Sequence, residues 1–149
     1  MIYFGIDPGV GGGIACVGDG EQFHGGTAKL KLKDATEADV VEWMRYVNVD
    51  QACAVIERVS SSPQMGVVSS FTFGRSYGFL RGVLAGLCIS YVEVRPQAWQ
   101  KAMGCLTKGD KNVTKALAQQ LYPGEKVTHA TADALLLATY CRRHHKDLF

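Results

Sequence analysis

Ile2-Tyr3-Phe4-Gly5-Ile6-Asp7-Pro8-Gly9 is the run from which the rest of the sheet can be laid out. Its β-branched and aromatic residues predict a short central strand ending at Asp7. Pro8-Gly9 breaks that strand, and Gly11-Gly12-Gly13 extends the turn. Ile14 to Val17 reads as a second strand returning antiparallel. Gly18-Asp19-Gly20 reads as a hairpin turn and Gln22-Phe23-His24 as a third, edge strand. Further out, Val40, Val41, Met44 and Val47 recur at helical spacing within residues 37–47. Ala52 to Glu57 is a continuous apolar run, which predicts a strand buried on both faces and parallel to the first.

Residues 66–87 predict a long helix, and Ile89 to Val94 another buried strand. Pro96 to Met103 reads as a short helix with Pro in its first turn and Gly104 past its end. Asp110 predicts the cap of a helix running to Leu121 and stopping before Pro123. Thr128 to Arg143 predicts the last helix. A three-strand antiparallel unit followed by parallel strands with crossover helices gives an α/β fold. Its centre is a mixed five-stranded sheet flanked by helices.

Composition narrows the function classes. The chain has 149 residues, 47% apolar and 20% charged, so one globular domain over 1–149 is expected rather than a disordered tail, a fibre or a two-domain kinase. A chain of this length buries roughly 70% of its unfolded surface. The most apolar stretch, residues 83–94, is too short to cross a bilayer. Met1 leads straight into a strand-like run, with no charged-then-apolar opening. Five cysteines without metal spacing read as small buried residues in a reducing cytoplasm, the host cell's if the gene is carried by a phage.

Charge is unevenly distributed. Residues 1–57 hold four Lys/Arg against nine Asp/Glu, a net of −5, whereas residues 58–115 hold eight against two, a net of +6. The basic middle also carries Phe71, Phe73, Tyr77, Phe79 and Trp99, as a nucleic-acid surface does. A solvated face is the usual meaning of such a run. An acidic third beside it would repel phosphate unless cations bridge the two.

Asp7 ends one central strand and Glu57 the next. Each is open to a plain reading, a turn residue or a strand reaching water. Both nevertheless stand at C-terminal strand ends, the edge where open α/β sheets bind ligands. Asp133 shares a helix face with Ala130, Leu136, Leu137 and Tyr140. A charge in that company must be paired or hold a metal, or it costs several kcal/mol. His129 lies one turn earlier on the same face. Three carboxylates and a histidine at one sheet edge suit two divalent cations about 3.5–4 Å apart. Oxygen donors select Mg²⁺ or Mn²⁺ over zinc.

Gly5-Ile6-Asp7-Pro8-Gly9, Val55-Ile56-Glu57-Arg58 and Ala132-Asp133-Ala134-Leu135-Leu136-Leu137-Ala138 together resemble the RuvC family of Holliday-junction resolvases, which has the RNase H-like fold. Arg95-Pro96, Trp99-Gln100-Lys101, Gly109-Asp110-Lys111 and Leu121-Tyr122-Pro123 are most similar to its short phage-type and chloroplast-type members. The resemblance runs from about residue 2 to residue 140. It implies metal-dependent, paired nicking of four-way DNA junctions by a homodimer, with branched DNA and no small molecule as substrate. It maps the family's acids onto Asp7, Glu57 and Asp133, with two ions per active site. The chain departs at the fourth ligand, commonly Asp in the family, where His129 is the nearest group.

Gly74, Gly78, Gly82 and Gly86 recur every four residues in the long helix, each costing about 1 kcal/mol against Ala. Such a row implies close backbone approach, either to the chain's own sheet or to a second copy. The family pairs its subunits through this helix, which favours the copy. Residues 60–66 follow the second acid, and Gln64 and Met65 are candidates to probe bases there. Arg75, Lys101, Lys108, Lys111 and Lys115 are the candidate phosphate contacts. Three other readings share these acids: a nuclease for RNA–DNA hybrids or flaps, a nucleotide phosphotransferase of the actin and sugar-kinase type, and a junction-binding protein without catalysis. The phosphotransferase needs two such domains, and 149 residues hold one.

Overall fold

The computed structural model describes residues 1–19, 27–47 and 51–149. Its sheet comprises β1 (Ile2–Asp7), β2 (Gly13–Gly18), β3 (Thr27–Lys31), β4 (Ala52–Glu57) and β5 (Ser90–Val94) in the order β3-β2-β1-β4-β5. β1 runs antiparallel to β2, with Ile6 opposite Ile14, and parallel to β4, with Ile6 opposite Ile56. β4 and β5 are also parallel. The helices are α1 (Glu37–Tyr46), α2 (Val67–Gly86), α3 (Pro96–Met103), α4 (Asn112–Leu121), α5 (His129–Arg143) and α6 (His145–Leu148). The mixed five-stranded sheet flanked by helices is the expected architecture.

Side-chain alternation along the strands assigns each helix to a face. Phe4, Ile6, Ile14, Cys16, Ala54 and Ile56 pack with Val40 and Met44 of α1 and with Leu80, Val83 and Leu84 of α2. Tyr3, Ala15, Val17, Cys53 and Val55 point the other way, into α5, α3 and α4. Asp7 and Glu57 continue that second, odd-numbered series. The same period that builds the core therefore turns both acids toward the face covered by α5.

α5 lies unusually close to β1. A Cβ on Gly5 would fall 2.1 Å from both Ala134 O and Ala138 N, so only glycine admits the helix there. Gly13 is similar, with Ala130 O 2.5 Å from its hypothetical Cβ. The helix starts with the Thr128 N–H donating to Thr131 Oγ1 at 3.1 Å, and Arg142 and Arg143 fall in its last turn, where the dipole favours cations.

Some expectations change. The hairpin turn at 18–20 and the strand at 22–24 fall wholly or partly outside the described residues. The third strand is Thr27–Lys31, whose Ala28 and Leu30 pack on the α1/α2 side. Alternating lysines hid it: Lys29 and Lys31 blunt an edge, and Lys29 pairs with Glu125. α4 begins at Asn112 with Lys111 rather than Asp110 at the cap position, but Asp110 Oδ1 still accepts from the Asn112 N–H at 2.9 Å. Cys88 is exposed, unlike the four buried cysteines. It takes φ 56° just past α2, where the Cys88 N–H donates to Ala85 O and the Ile89 N–H to Leu84 O. That pattern of bonds closes helices most often with glycine.

The glycine stripe faces away from the chain's own sheet. A Cβ on Gly74, Gly78, Gly82 or Gly86 would meet nothing within 4 Å. The reading of a helix pressed onto its sheet through these glycines is therefore wrong. Periodicity showed that they share a face, and Leu80, Val83 and Leu84 take the inward one.

Candidate active site

Asp7 and Glu57 leave adjacent parallel strands at the same level, and Asp133 reaches them from the second turn of α5. All three are half-buried. Burial pushes the Asp7 carboxyl up to about 7, and the nearby charges of Glu57 and Asp133 add to the rise. Burial also raises Glu57, with Asp133 contributing, while a hydrogen bond from Trp99 Nε1–H opposes it. Asp133 is raised by burial and held back by Thr114, Lys111 and His129. Its Oδ1 is buried with no hydrogen-bond partner. Its helix neighbours Leu136 and Leu137 are wholly buried, as the apolar face requires.

Lys111, just before α4, is the cation common to the three acids. It stands where it partly offsets the carboxylates. His129 opens α5 and is exposed, within electrostatic reach of Asp133. The helix start is capped by Thr128 and Thr131, so His129 is not the cap.

An orphaned carboxylate oxygen and three crowded acids offset mainly by one lysine fit a cation as missing counter-charge. Among the described residues, no three His, Cys, Asp or Glu side chains already converge on one ion position. Those two facts are compatible for Mg²⁺, which binds through one or two carboxylates and completes its shell with water and substrate phosphate.

The remaining candidates scatter around this edge. Gln64 and Met65 lie in a turn closed by the Met65 N–H donating to Ser62 O, with Gln64 exposed. Arg75 is exposed on α2, bordering a hollow it shares with Gly9 and Val10 of the Asp7 turn. Lys101 is exposed on α3, Lys108 adopts φ 47° in the α3–α4 loop, and Lys115 is half-buried on α4. Among the described residues, Lys101, Lys108 and Lys115 form no ion pair with the acids. Trp99 corrects the reading of the aromatics as a nucleic-acid surface, because it is fully buried beneath Glu57. Phe71, by contrast, is 72% exposed.

Gly12 was read only as part of a turn. A Cβ there would lie 2.2 Å from Asp7 O and 3.0 Å from Asp7 Cγ, so this glycine makes room for the first acid. Three glycines in a row were the signal.

No family model and no curated protein matches the sequence. Solved structures do match. The structure of RuvC from Thermus thermophilus superposes with a TM-score of 0.67 at 18% identity, over 99% of this chain and 96% of that one. The T. thermophilus RuvC in complex with Holliday junction substrate gives the same score and coverage at 16% identity. The chain has a RuvC-like fold. At that identity the likeness speaks for architecture, and the chemistry of the RuvC-like fold in this chain rests on the residues above. No helix among the described residues is long and apolar enough to cross a membrane.

Proposed function

We propose that this chain is a metal-dependent, structure-selective endodeoxyribonuclease that resolves four-way DNA junctions by paired, symmetric nicking. The observation that carries the reading is the meeting of Asp7, Glu57 and Asp133 at one sheet edge of a fold that, in T. thermophilus RuvC, has been seen with a Holliday junction substrate.

Asp7, Glu57, Asp133 and His129 would hold two Mg²⁺ or Mn²⁺ ions. When bound, such ions supply charge neutralisation and an activated water for in-line attack on a phosphodiester. The chain's own residues prepare that step. Asp7 has neighbouring carboxylates on two elements, which suits it to be the shared ligand. Trp99 holds the Glu57 carboxylate in one orientation. Lys111 offsets excess negative charge and would meet an incoming phosphate.

A homodimer is the assembly we propose, because a four-way junction has two-fold symmetry and needs two active sites. Gly74, Gly78, Gly82 and Gly86 present bare backbone outward. The last two border a hollow of about 380 Å³ between α1 and α2, lined by Val41, Phe79, Val83 and Leu87. A second copy of α2 is the occupant we assign.

One gel tests the reading: synthetic four-way junction, linear duplex and RNA–DNA hybrid, each with Mg²⁺, Mn²⁺ or EDTA. Symmetric nicks in the junction alone, abolished by EDTA and by Asp7→Asn, Glu57→Gln or Asp133→Asn, are expected. Preferential cutting of the hybrid would replace the resolvase by an RNase H-like nuclease. Junction binding without cutting in any metal would leave a binding protein.

A further inference from the structure

On the β5 side of Glu57, away from Asp7, the sheet edge opens into a hollow of about 490 Å³. Glu57 pairs with Val94 across β4 and β5, and the Arg58 N–H donates to Val94 O at 2.8 Å. Arg58 and Arg95 are the next residues of these two strands. They leave the sheet side by side, both exposed and both lining the hollow. Among the described residues neither forms an ion pair with a carboxylate.

Two further features point the same way. α3 opens at this spot with Pro96 and no side-chain cap, so the positive end of its dipole adds to the field of the guanidinium pair. Phe73 closes the side toward the first acid: its Cε2 lies 3.2 Å from where a Cβ on Gly9 would stand. The ring thus lines the hollow and stands against Gly9 of the Asp7-Pro8-Gly9 turn. Adjacent guanidiniums repel one another unless an anion lies between them, and their planar forks match phosphate oxygens. The hollow is large for a lone phosphate and within the range of pockets that hold small organic groups. Glu57 forms one wall, so whatever phosphate sits here is a neighbour of one held by the acids.

We propose that this hollow is a nucleotide subsite, in which Arg58 and Arg95 grip the phosphate of the nucleotide next to the scissile phosphate. The subsite rests on the nuclease reading for its meaning and on its own residues for its existence. It differs from the lysine-bearing α3–α4 region, and its arginines are distinct from Lys111, which acts on Glu57 electrostatically.

The test is fluorescence anisotropy of a labelled single-stranded octathymidylate in EDTA, with affinity measured across a salt series. Arg58→Gln combined with Arg95→Gln is expected to flatten the log–log salt slope by about 1.4, roughly 0.7 for each lost contact to single-stranded DNA. Arg58→Lys with Arg95→Lys keeps most of the slope, and Arg142→Gln, nine positions beyond Asp133 on α5, leaves it unchanged. Circular dichroism confirms that each variant is folded. An unchanged slope in the double Gln variant overturns the subsite, as does a wild-type chain that does not bind the octamer at low salt. Junction cleavage is measured in parallel on the wild type. A falling slope in a chain that cuts no junction upholds the subsite and removes only the nuclease reading; normal cutting with an unchanged slope removes only the subsite.

Discussion

Trp99 donates its indole N–H to Glu57 Oε2 at 2.7 Å, joining α3 to the C-terminal end of β4. The indole is wholly buried and the carboxylate half-buried, so the donor has no water to bond instead. It favours the ionised carboxylate against the burial that disfavours it. Trp99→Phe keeps an aromatic ring, deletes the donor and removes part of the buried indole volume. We expect Glu57 to titrate higher, the acid limb of the cleavage–pH profile to move to higher pH, and stability to drop by about 1–2 kcal/mol. Denaturant melts and the pH profile measure the two effects separately. An unmoved acid limb would make Trp99 a packing residue only.

Asp7 gives the metal-free protein a distinctive pH dependence. Its folded pKa, about 7, lies above the ordinary value of 3.8, so the folded state binds the proton more tightly than the unfolded state. The Asp7 contribution to stability is complete below about pH 4 and is lost as pH rises toward 7. In EDTA at pH 8, Asp7→Asn is expected to raise stability, on the order of 4 kcal/mol, while abolishing cleavage. Mg²⁺ should raise the Tm of the wild type more than that of Asp7→Asn. Equal Tm values in EDTA would contradict the crowding of the three acids.

Glycines on two faces respond oppositely to the same methyl group. Gly5→Ala drives a Cβ into the α5 backbone and is expected to cost more than 3 kcal/mol, displacing the helix that carries Asp133. Gly78→Ala enters open space and gains about 1 kcal/mol of helix propensity in the monomer. If α2 joins two copies, the same change weakens the dimer. Sedimentation velocity beside thermal melts reads both: a stabler chain with weaker association is expected, and unchanged association argues against α2 as the interface.

Cys88 adopts a left-handed conformation at the end of α2. Cys88→Gly removes a strain of about 1 kcal/mol while leaving the closing hydrogen bonds intact. A higher denaturation midpoint with an unchanged m-value is the expected result.

His129 separates a ligand from a bystander. His129→Asp is expected to keep cleavage, because a carboxylate takes the same place one turn before Asp133. His129→Ala should lose much of the activity and require more metal, with an unchanged melt. A His129→Ala protein with normal rate and metal dependence would leave three carboxylates as the ligand set.

The strands and helices around the site were legible because each carries a local signal. Apolar runs ending in Asp7 and Glu57 marked β1 and β4 with their acids. The charge of Asp133 on an apolar helix face marked α5. β3 was missed because lysines alternate through an edge strand and mask its two apolar residues. Trp99 was misread because a tryptophan in a basic segment looks the same in sequence whether it meets bases or a buried carboxylate.

Periodicity is thus local: the chain carries in its order which residues share a face, where strands end, and which charges sit in apolar company. Direction and encounter come from folding. A four-residue glycine repeat fixes a stripe, but only the packing of Leu80 and Leu84 turns that stripe outward. Gly5 has no local signature of its role, because what it avoids is the backbone of a helix more than a hundred residues later. Arg58 and Arg95 become neighbours only because β4 and β5 lie parallel and in register, with Glu57 opposite Val94. The physical reason is common to all three. Local pattern follows from dihedral preference and hydrophobic period along the chain, whereas contacts between distant segments arise when the sheet pairs and the helices settle on it.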